Sequence, residues 1–396
     1  MNIKTITICG GGNATHAIIP ILRKHFHGSI RLFLSFKNEL DQFNHLMTSN
    51  RDIKAIYGSE TFFGSPDIVS DNPEEACLYS DLILLPLPAF AHESVLKKIT
   101  PFVIENGIIG AIPARGGFEF SSLSILKENE REDIAIFGMQ TLPWACRIKE
   151  YARQVEILGE KKSVGLSLFP HEGISHISET LSNYFSVNIE PLPNMLTLSL
   201  ANIGQIVHPG IMYGLFKGNE HRKYEKEEIP LFYHGVTGDI AEILEQMSNN
   251  ILAITREIQK RFKKVDLTKV LGLKDWLILS YKNSIEDSRT LETSFLTNNA
   301  YRGLFAPMKK LDNGYYSPDF KSRYLTEDVP FGLIVTKAIA MLAQVDTPTI
   351  DEVIKTVSGW MEKEYLVNGD LKGRDISEAR IPQNYSFNKL EQIIKL

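Results

Sequence analysis

Apolar runs of strand length alternate with helical patterns through the first half of the chain. The opening stretch "MNIKTITICGGGNATHA" begins with a β-branched, apolar run from Ile3 to Ile8, which predicts a buried strand. Glycines follow at once, and residues 14–22 then place apolar side chains at roughly helical spacing. The chain is therefore predicted to pass from a strand through a glycine turn into a helix, which Pro20 shortens or kinks.

The same alternation recurs as far as residue 148. We predict strands at 29–36, in the apolar run 82–85, from 107 onward, and within 133–148. A continuous apolar run suits a strand buried on both faces, as in a parallel sheet covered by helices. The loops after these strands contain glycine or proline and would meet at the carboxyl edge of the sheet, where ligands bind. Ordinary turn chemistry is the alternative explanation of those loops.

The pattern becomes mostly helical in the second half of the chain. Short alternating strands follow Arg147, and the linker "EPLPNM" indicates a domain boundary between residues 191 and 192. Helical patterns then run over about 238–262, from about 275, and over 330–343 and 349–364. We therefore predict an α/β fold, with a Rossmann-like dinucleotide-binding domain (1–191) followed by an all-α domain (192–396). A small substrate commonly binds in the cleft that such a pair creates.

The glycine turn is the first candidate for cofactor chemistry. Glycines let the backbone approach a pyrophosphate, and the N–H groups at the start of the helix attract its charge. The third position of the G-x-G-x-x-G pattern, counted from Gly10, is Thr15, so the motif is imperfect. The predicted pyrophosphate contacts are Gly10, Gly11, Gly12, Asn13 and Ala14.

The end of the second strand bears on the choice of nucleotide. In this fold an acid there selects the free ribose 2′-hydroxyl, and a basic group accepts a 2′-phosphate. Here Ser35 and Lys37 occupy the region, and no carboxylate occurs before Glu39, which favours NADP(H) over NAD(H). A solvated lysine at a helix start is an equally weighted interpretation. Pro86 is a further candidate cofactor contact, and His92 is more often a structural residue than a ligand.

Composition and charge narrow the class of protein. The chain has 396 residues, enough for two domains, and its 43% hydrophobic and 23% charged residues indicate a globular protein. A formal net charge of −5 gives no electrostatic reason to expect nucleic acid or a membrane surface as a partner. We expect small-molecule substrates, and a monomer or a homodimer.

Cysteine usage and the amino terminus indicate location. Cys9, Cys77 and Cys146 are far apart, which fits a reducing compartment and excludes a disulfide framework or a cysteine-built zinc site. No metal site is predicted. The amino terminus lacks a signal-peptide pattern, and no stretch of about 20 apolar residues occurs. The expected location is the cytoplasm.

Two segments carry candidate catalytic groups. His208 precedes Pro209 after a long apolar stretch, so we expect it at a helix interruption, where a helix end capped by Gly210 is the alternative. Arg323 and Asp328 precede a further helix. Asp328 or Thr326 would also serve as a helix cap, and Arg323 would also serve as a surface partner of Glu327.

Four blocks together resemble the opine dehydrogenases of the octopine and nopaline type. The blocks "GGGNATHA", "TLPWACR" (141–147), "NIGQIVHPG" and "SRYLTEDVPFGL" occur in the family's order, over about residues 3–345. The second and third are the specific ones. Thr15 and the missing strand-end acid depart from the family pattern and leave the cofactor preference open.

The resemblance implies an activity and residue roles. An opine dehydrogenase condenses an amino acid with a 2-keto acid, commonly pyruvate, and reduces the imine with hydride from NAD(P)H. By resemblance, His208 is the catalytic histidine, Asp328 its paired acid, and Arg323 the arginine at the substrate carboxylate. Thr141 and Trp276 are further substrate-binding candidates.

Two rival functions remain open on the sequence. One is a keto-acid reductase of the ketopantoate or glycerol-phosphate type, and those enzymes usually rely on a lysine in the helical domain. The other is a non-catalytic nucleotide-binding regulatory protein. The combination of His208, Arg323 and Asp328 favours the opine dehydrogenase prediction over both.

Overall fold

The chain divides into two compact units. The structure, a computed structural model, describes residues 3–35, 37–47 and 52–396, with the backbone alone at 37 and 45–47. Unit 1 comprises Met1–Leu198 together with Leu396, and unit 2 comprises Ser199–Lys395. Within the described residues, no helix is long and apolar enough to cross a membrane.

Unit 1 contains two sheets and the helices that cover them. The strands are β1 (Thr5–Cys9), β2 (Ser29–Phe33), β3 (Ile53–Tyr57), β4 (Glu60–Gly64), β5 (Ile68–Ser70), β6 (Leu82–Leu85), β7 (Ile108–Ala111), β8 (Ala135–Met139), β9 (Trp144–Glu150), β10 (Gln154–Glu160), β11 (Ser163–Phe169) and β12 (Asn188–Pro191). The helices are α1 (Asn13–His25), α2 (Lys37–Met47), α3 (Pro73–Cys77), α4 (His92–Ile99), α5 (Phe118–Glu128) and α6 (Ile174–Phe185). A further helix, α7 (Met195–Leu200), begins in unit 1 and ends in unit 2.

The larger sheet has eight strands among the described residues, in the order β12-β11-β8-β7-β6-β1-β2-β5. Neighbouring strands are parallel, except β8 and β11. The six strands from β5 to β8 have the order of a doubly wound dinucleotide-binding fold, which confirms the predicted Rossmann-like class. The order reverses between β1 and β6, so the loops after these two strands lie side by side at the carboxyl edge.

Burial on both faces explains the continuous apolar runs. In β6 all four residues are buried. Leu82 and Leu84 pack in a core with the apolar side of α1, whereas Ile83 and Leu85 pack in a second core with residues of α4 and α5. Helices on both faces therefore need apolar side chains at every position of the strand.

The segment 133–148, predicted as one strand, forms two. β8 belongs to the large sheet, whereas β9 belongs to a four-stranded sheet of order β4-β3-β10-β9. Pro143 lies between them and has no N–H to continue a ladder, so the chain leaves the large sheet there. The single-strand prediction was wrong because apolar character continues across the break.

Unit 2 is mainly helical. Its helices are α8 (Gly204–Phe216), α9 (Gly238–Arg261), α10 (Leu273–Tyr281), α11 (Leu291–Leu296), α12 (Arg323–Thr326), α13 (Ile334–Ala343), α14 (Pro348–Trp360) and α15 (Leu390–Ile393). A short hairpin of β13 (Met308–Lys310) and β14 (Tyr316–Pro318) departs from the predicted all-α composition. Its turn contains Asn313 and Gly314, and Gly314 has φ +86°, which suits a tight reversal.

Helix α8 continues through His208, so the predicted interruption at this residue was wrong, as was its alternative, a helix end at Gly210. Pro209 is the sixth residue of α8 and removes the hydrogen bond to the carbonyl of Gln205. Gly210 faces α9 closely, since an added Cβ would lie 2.6 Å from Leu244 Cδ2. Packing against α9 therefore holds the helix across the proline. The actual break lies earlier, between α7 and α8.

Candidate active site

The glycine turn joins β1 to α1 in unit 1. Gly10 has φ +95°, and its N–H donates to the carbonyl of Phe33 at 2.8 Å. An added Cβ on Gly11 would lie 2.5 Å from Tyr151 Oη, whereas one on Gly12 would meet nothing within 4 Å. Gly12 is the exposed N-cap of α1, whose first turn contains no acidic residue. This open, positively polarised helix end fits a pyrophosphate group.

Side chains behind the turn fix its shape. Thr15, the departure from the glycine motif, donates from Oγ1 to the carbonyl of Gly10 at 2.6 Å. Asn13 Oδ1 accepts from the N–H of Ile148 at 2.7 Å, which ties the turn to β9. The Asn13 side chain therefore positions the turn through its Oδ1 atom. The bond between Ile148 and Asn13 was not predicted from the sequence, because β9 was not recognised as a separate strand.

The other predicted cofactor residues lie at the same edge of the large sheet or close to it. Ala14 is buried in the first turn of α1. Ser35 is half-buried, two residues beyond the end of β2, and Lys37 begins α2, although its side chain lies outside the described part of the chain. Pro86 directly follows β6, the neighbour of β1.

His92 and Thr141 differ in accessibility. His92 is fully buried, with Nε2 3.2 Å from the carbonyl oxygen of Leu87 and its ring edge-on to Phe118. This favours the structural interpretation of His92. Thr141 is half-buried in the turn between β8 and β9.

In unit 2 the structure brings His208 and Asp328 together. Nδ1 of His208 on α8 lies 2.8 Å from Oδ2 of Asp328. The Asp328 side chain is 2% exposed, whereas that of His208 is 18% exposed and so remains reachable by a small molecule. A carboxylate accepts hydrogen bonds only, so Nδ1 carries the proton and Nε2 is the basic nitrogen of the neutral ring.

A π-helical turn, Val329–Leu333, begins directly after Asp328. Asp328 occupies its N-cap position but makes no capping hydrogen bond, because its carboxylate is directed to His208. The hydroxyl of Thr326 donates to the carbonyl of Ser322, so neither side chain makes the capping hydrogen bond considered from the sequence. Such π-turns occur frequently at functional sites.

Two tyrosines complete the surroundings of the imidazole. The ring of Tyr324 stacks on it, with centroids 4.1 Å apart and planes 8° from parallel. The hydroxyl of Tyr233 lies 3.1 Å from Nε2 of His208. No role at His208 was predicted for Tyr233 from the sequence. No feature of the sequence predicted a role for Tyr324, although it directly follows Arg323.

Arg323 forms an ion pair with Glu327, four residues later in the chain. Its Nε lies 2.8 Å from Oε2 of Glu327, and Nη2 contacts the same oxygen. The Arg323 side chain is 65% exposed, whereas that of Glu327 is 3% exposed. The buried carboxylate therefore orients an accessible guanidinium, whose Nη1 edge is directed away from the pair.

Trp276 on α10 is half-buried and contacts Tyr281 edge-to-face, with ring centroids 6.0 Å apart. Tyr281 in turn lies 5.1 Å from Tyr301, which stacks on Tyr233 at 4.0 Å. Aromatic side chains thus connect Trp276 to the surroundings of His208 within unit 2.

Comparisons with known proteins agree over the full length. Residues 191–361 match the family described as NAD/NADP octopine/nopaline dehydrogenase, alpha-helical domain. An opine dehydrogenase of Haliotis discus hannai is 34% identical, over 99% of this chain and 98% of that protein. A tauropine dehydrogenase of Arabella iricolor is 33% identical, over 98% and 99% respectively. A solved structure of octopine dehydrogenase with NADH and pyruvate has a TM-score of 0.89 at 30% identity, covering 99% of this chain and 98% of that one.

Proposed function

Because this chain belongs to the opine dehydrogenase family of the octopine and nopaline type, we propose that it joins an amino acid to a 2-keto acid and reduces the resulting imine. We take pyruvate as the keto acid, the ligand of the similar octopine dehydrogenase. The enzyme is an NAD(P)-dependent oxidoreductase acting on CH–NH bonds. The observation that carries the proposal is the His208–Asp328 hydrogen bond, with Arg323 beside it in sequence.

Unit 1 fits the cofactor, which supplies the hydride when bound. We propose that residues 1–191 form the nucleotide-binding domain and residues 192–396 the substrate domain. The turn Gly10–Gly12, with the backbone at Asn13 and Ala14, would hold the pyrophosphate. Ser35, Lys37 and Pro86 would contact the remainder of the nucleotide.

His208 would move the proton in the condensation. Attack of the amine on the keto carbon gives a carbinolamine, which must lose its hydroxyl as water. Protonated His208 donates from Nε2 to that hydroxyl, the C–O bond breaks, and the nitrogen lone pair forms the C=N bond. Asp328 accepts from Nδ1 throughout and stabilises the imidazolium. In the reverse direction, neutral His208 takes a proton from the attacking water.

Arg323 would bind a substrate carboxylate. Glu327 already occupies Nε and one side of Nη2, so the carboxylate would meet the outer edge formed by Nη1 and Nη2. The amino acid would contact Trp276, and Thr141 is proposed as a further substrate contact. The identity of the amino acid depends on such side chains, and similar proteins are named for different opines, octopine and tauropine.

The keto-acid reductase alternative is less well supported. The ammonium of Lys337, a buried lysine of unit 2, donates to Asp351 at 2.7 Å and to Thr347 at 3.2 Å. We further propose a monomer or homodimer in the cytoplasm, a location suited to the free, buried cysteines Cys9, Cys77 and Cys146.

The test is NADH or NADPH oxidation with pyruvate plus each amino acid of a panel, compared with pyruvate alone. The proposal predicts oxidation that requires both substrates, and a product whose mass equals amino acid plus pyruvate, less water, plus two hydrogens. Equal oxidation with pyruvate alone would identify a keto-acid reductase. Nucleotide binding without turnover for any pair would support a regulatory protein.

A further inference from the structure

The hydroxyl of Tyr233 contacts Nε2 of His208, the nitrogen that exchanges the proton in the proposed reaction. It lies 3.1 Å from Nε2, whereas Asp328 holds Nδ1. Since Nδ1–H donates to the carboxylate, Nε2 of the neutral ring is an acceptor. Tyr233 is therefore the donor in the resting protein. Burial, together with nearby Tyr324, raises the pKa of the Tyr233 phenol well above its usual value, so it retains this proton.

The position of this hydroxyl is fixed by packing. The Tyr233 ring stacks on Tyr301, with centroids 4.0 Å apart, and meets Phe232 at 80°. It lies in a short 3₁₀ helix, Tyr233–Gly235, in which His234 Nε2 contacts the carbonyl oxygen of Asn298 at 3.0 Å. Rings on two sides and a bond from the next residue therefore define where the hydroxyl points. The contact between Tyr233 and His208 is therefore set by the packing around the Tyr233 ring.

We propose that Tyr233 is a positioning residue that, together with Asp328, holds free His208 in the Nδ1–H tautomer and partners Nε2 until a substrate oxygen replaces the hydroxyl there. A phenol donates to a neutral nitrogen and, after rotation about its C–O bond, accepts from a protonated one. The ring need not move for this exchange. The inference rests on the proposed function for the substrate step, whereas the tautomer lock concerns the free protein alone.

The proposal predicts an effect on proton affinity. In Tyr233→Phe the ring remains, but an imidazolium Nε2–H loses its partner, and hydrogen bonds to charged groups are the stronger ones. The charged form of His208 should therefore be less stable in the free variant than in the free wild-type protein, by a factor of about ten. Because kcat/KM reports the free enzyme, its pH profile should shift to lower pH. The kcat profile should not move, because substrate has already displaced the hydroxyl.

Tyr233→Phe also removes the hydrogen bond between the Tyr233 and Tyr324 side chains, and the other groups around His208 remain in place. Asp328 comes from the π-turn and Tyr324 from α12, where Arg323 and Glu327 form their own ion pair. Helix α9 presents apolar Leu244 and Met247 to α8 at Gly210. From α14, Glu352 contacts Tyr213 and Lys217, farther along α8. A shift in the titration of His208 would thus report the missing hydroxyl.

The experiment is ¹⁵N NMR of histidine side chains in the full chain without substrate, with the His208 signals assigned by their loss in His208→Gln. Wild-type protein should show the Nδ1–H tautomer, and Tyr233→Phe should titrate at lower pH. The matched control is Tyr301→Phe, which removes a buried hydroxyl from the same stack without touching His208. Its titration should equal that of wild type.

Two results would overturn the proposal. One is an Nε2–H tautomer in the wild-type protein, which needs no variant to detect. The other is an equal titration of His208 in wild type and folded Tyr233→Phe. If the NMR results hold but no amino acid and keto acid pair is turned over, the proposed function fails while the tautomer lock stands. If turnover is present and Tyr233→Phe titrates like wild type, the lock fails alone.

Discussion

His208 and Asp328 are 120 positions apart in sequence and share a hydrogen bond of 2.8 Å between Nδ1 and Oδ2. One residue lies within a helix that packs closely on α9, and the other immediately precedes a π-turn. Helix α8 also contacts that turn, since a Cβ on Gly332 would lie 2.6 Å from Cβ of Gln205. The backbone packing that sets this pair is therefore tight.

The first prediction concerns the orienting carboxylate. Asp328→Asn should lower turnover roughly 10²- to 10⁴-fold, since an amide does not stabilise the imidazolium and also accommodates the wrong tautomer. Steady-state kinetics at saturating cofactor measure the loss. The Kd of NADH should be unchanged, and a turnover within twofold of wild type would exclude the role of Asp328.

The second prediction concerns Arg323. Arg323→Lys keeps the charge but loses the planar edge, so kcat/KM for pyruvate should fall about 10- to 100-fold with little change in NADH affinity. The control is Arg222→Lys, an exposed arginine in another ion pair, with Glu228. Glu327→Gln should give a smaller loss of the same kind. An equal loss of nucleotide affinity in Arg323→Lys would contradict the assignment.

The third prediction concerns the choice of nucleotide. With Lys37 at the start of α2 and no acid at the end of β2, NADPH should bind more tightly than NADH. Fluorescence titration of Lys37→Ala should show about a tenfold weaker NADPH complex and an unchanged NADH complex. Lys127→Ala, on exposed surface of α5, is the control. Tighter NADH binding by the wild-type protein would remove this preference.

The fourth prediction concerns stability against pH. His16 is buried, its Nδ1–H donates to the carbonyl of Gly12, and its Nε2 accepts from the N–H of Ala152. Burial lowers the pKa of His16 to about 4 from 6.5, against the opposing effect of the Gly12 bond. The unfolded chain binds this proton near pH 6.5 and the folded chain only near pH 4. The free energy of unfolding should thus fall by about 3 kcal/mol between these values as pH decreases.

Urea unfolding at pH 7 and pH 5, at constant ionic strength, measures this effect. His16→Gln should lose part of the pH dependence that wild type shows between these two values. His27→Gln, which changes an exposed histidine, should retain the wild-type dependence. If the free energy of unfolding changed equally between pH 7 and pH 5 in wild type and His16→Gln, the buried imidazole would not be the cause of the pH dependence.

The sequence predicts local features of unit 1 well. The strand, glycine turn and helix at residues 5–25 can be predicted from the sequence, because the spacing of apolar residues changes at the glycines from that of a strand to that of a helix. The buried strand β6 is visible because both its faces are covered. The family resemblance and the nucleotide-binding fold follow from such local signals, and the structure and the comparisons confirm them.

Features that depend on tertiary packing could not be predicted from the sequence. Pro209 indicates a helix break, yet contact between Gly210 and Leu244 keeps α8 continuous. The bond from Tyr233 to His208 joins a 3₁₀ turn to a helix 25 positions away, and no periodicity encodes it. In the same way, the sequence shows Thr15 only as a departure from the glycine motif, whereas the structure shows its hydroxyl bound to the carbonyl of Gly10.

The variant His208→Ala shows whether His208 exchanges the proton in imine formation. Turnover with pyruvate and the preferred amino acid should be measured together with the Kd of the nucleotide, on protein whose Tm matches wild type. We predict a loss of turnover of roughly 10²- to 10⁴-fold with an unchanged Kd. Turnover close to that of wild type would contradict the account.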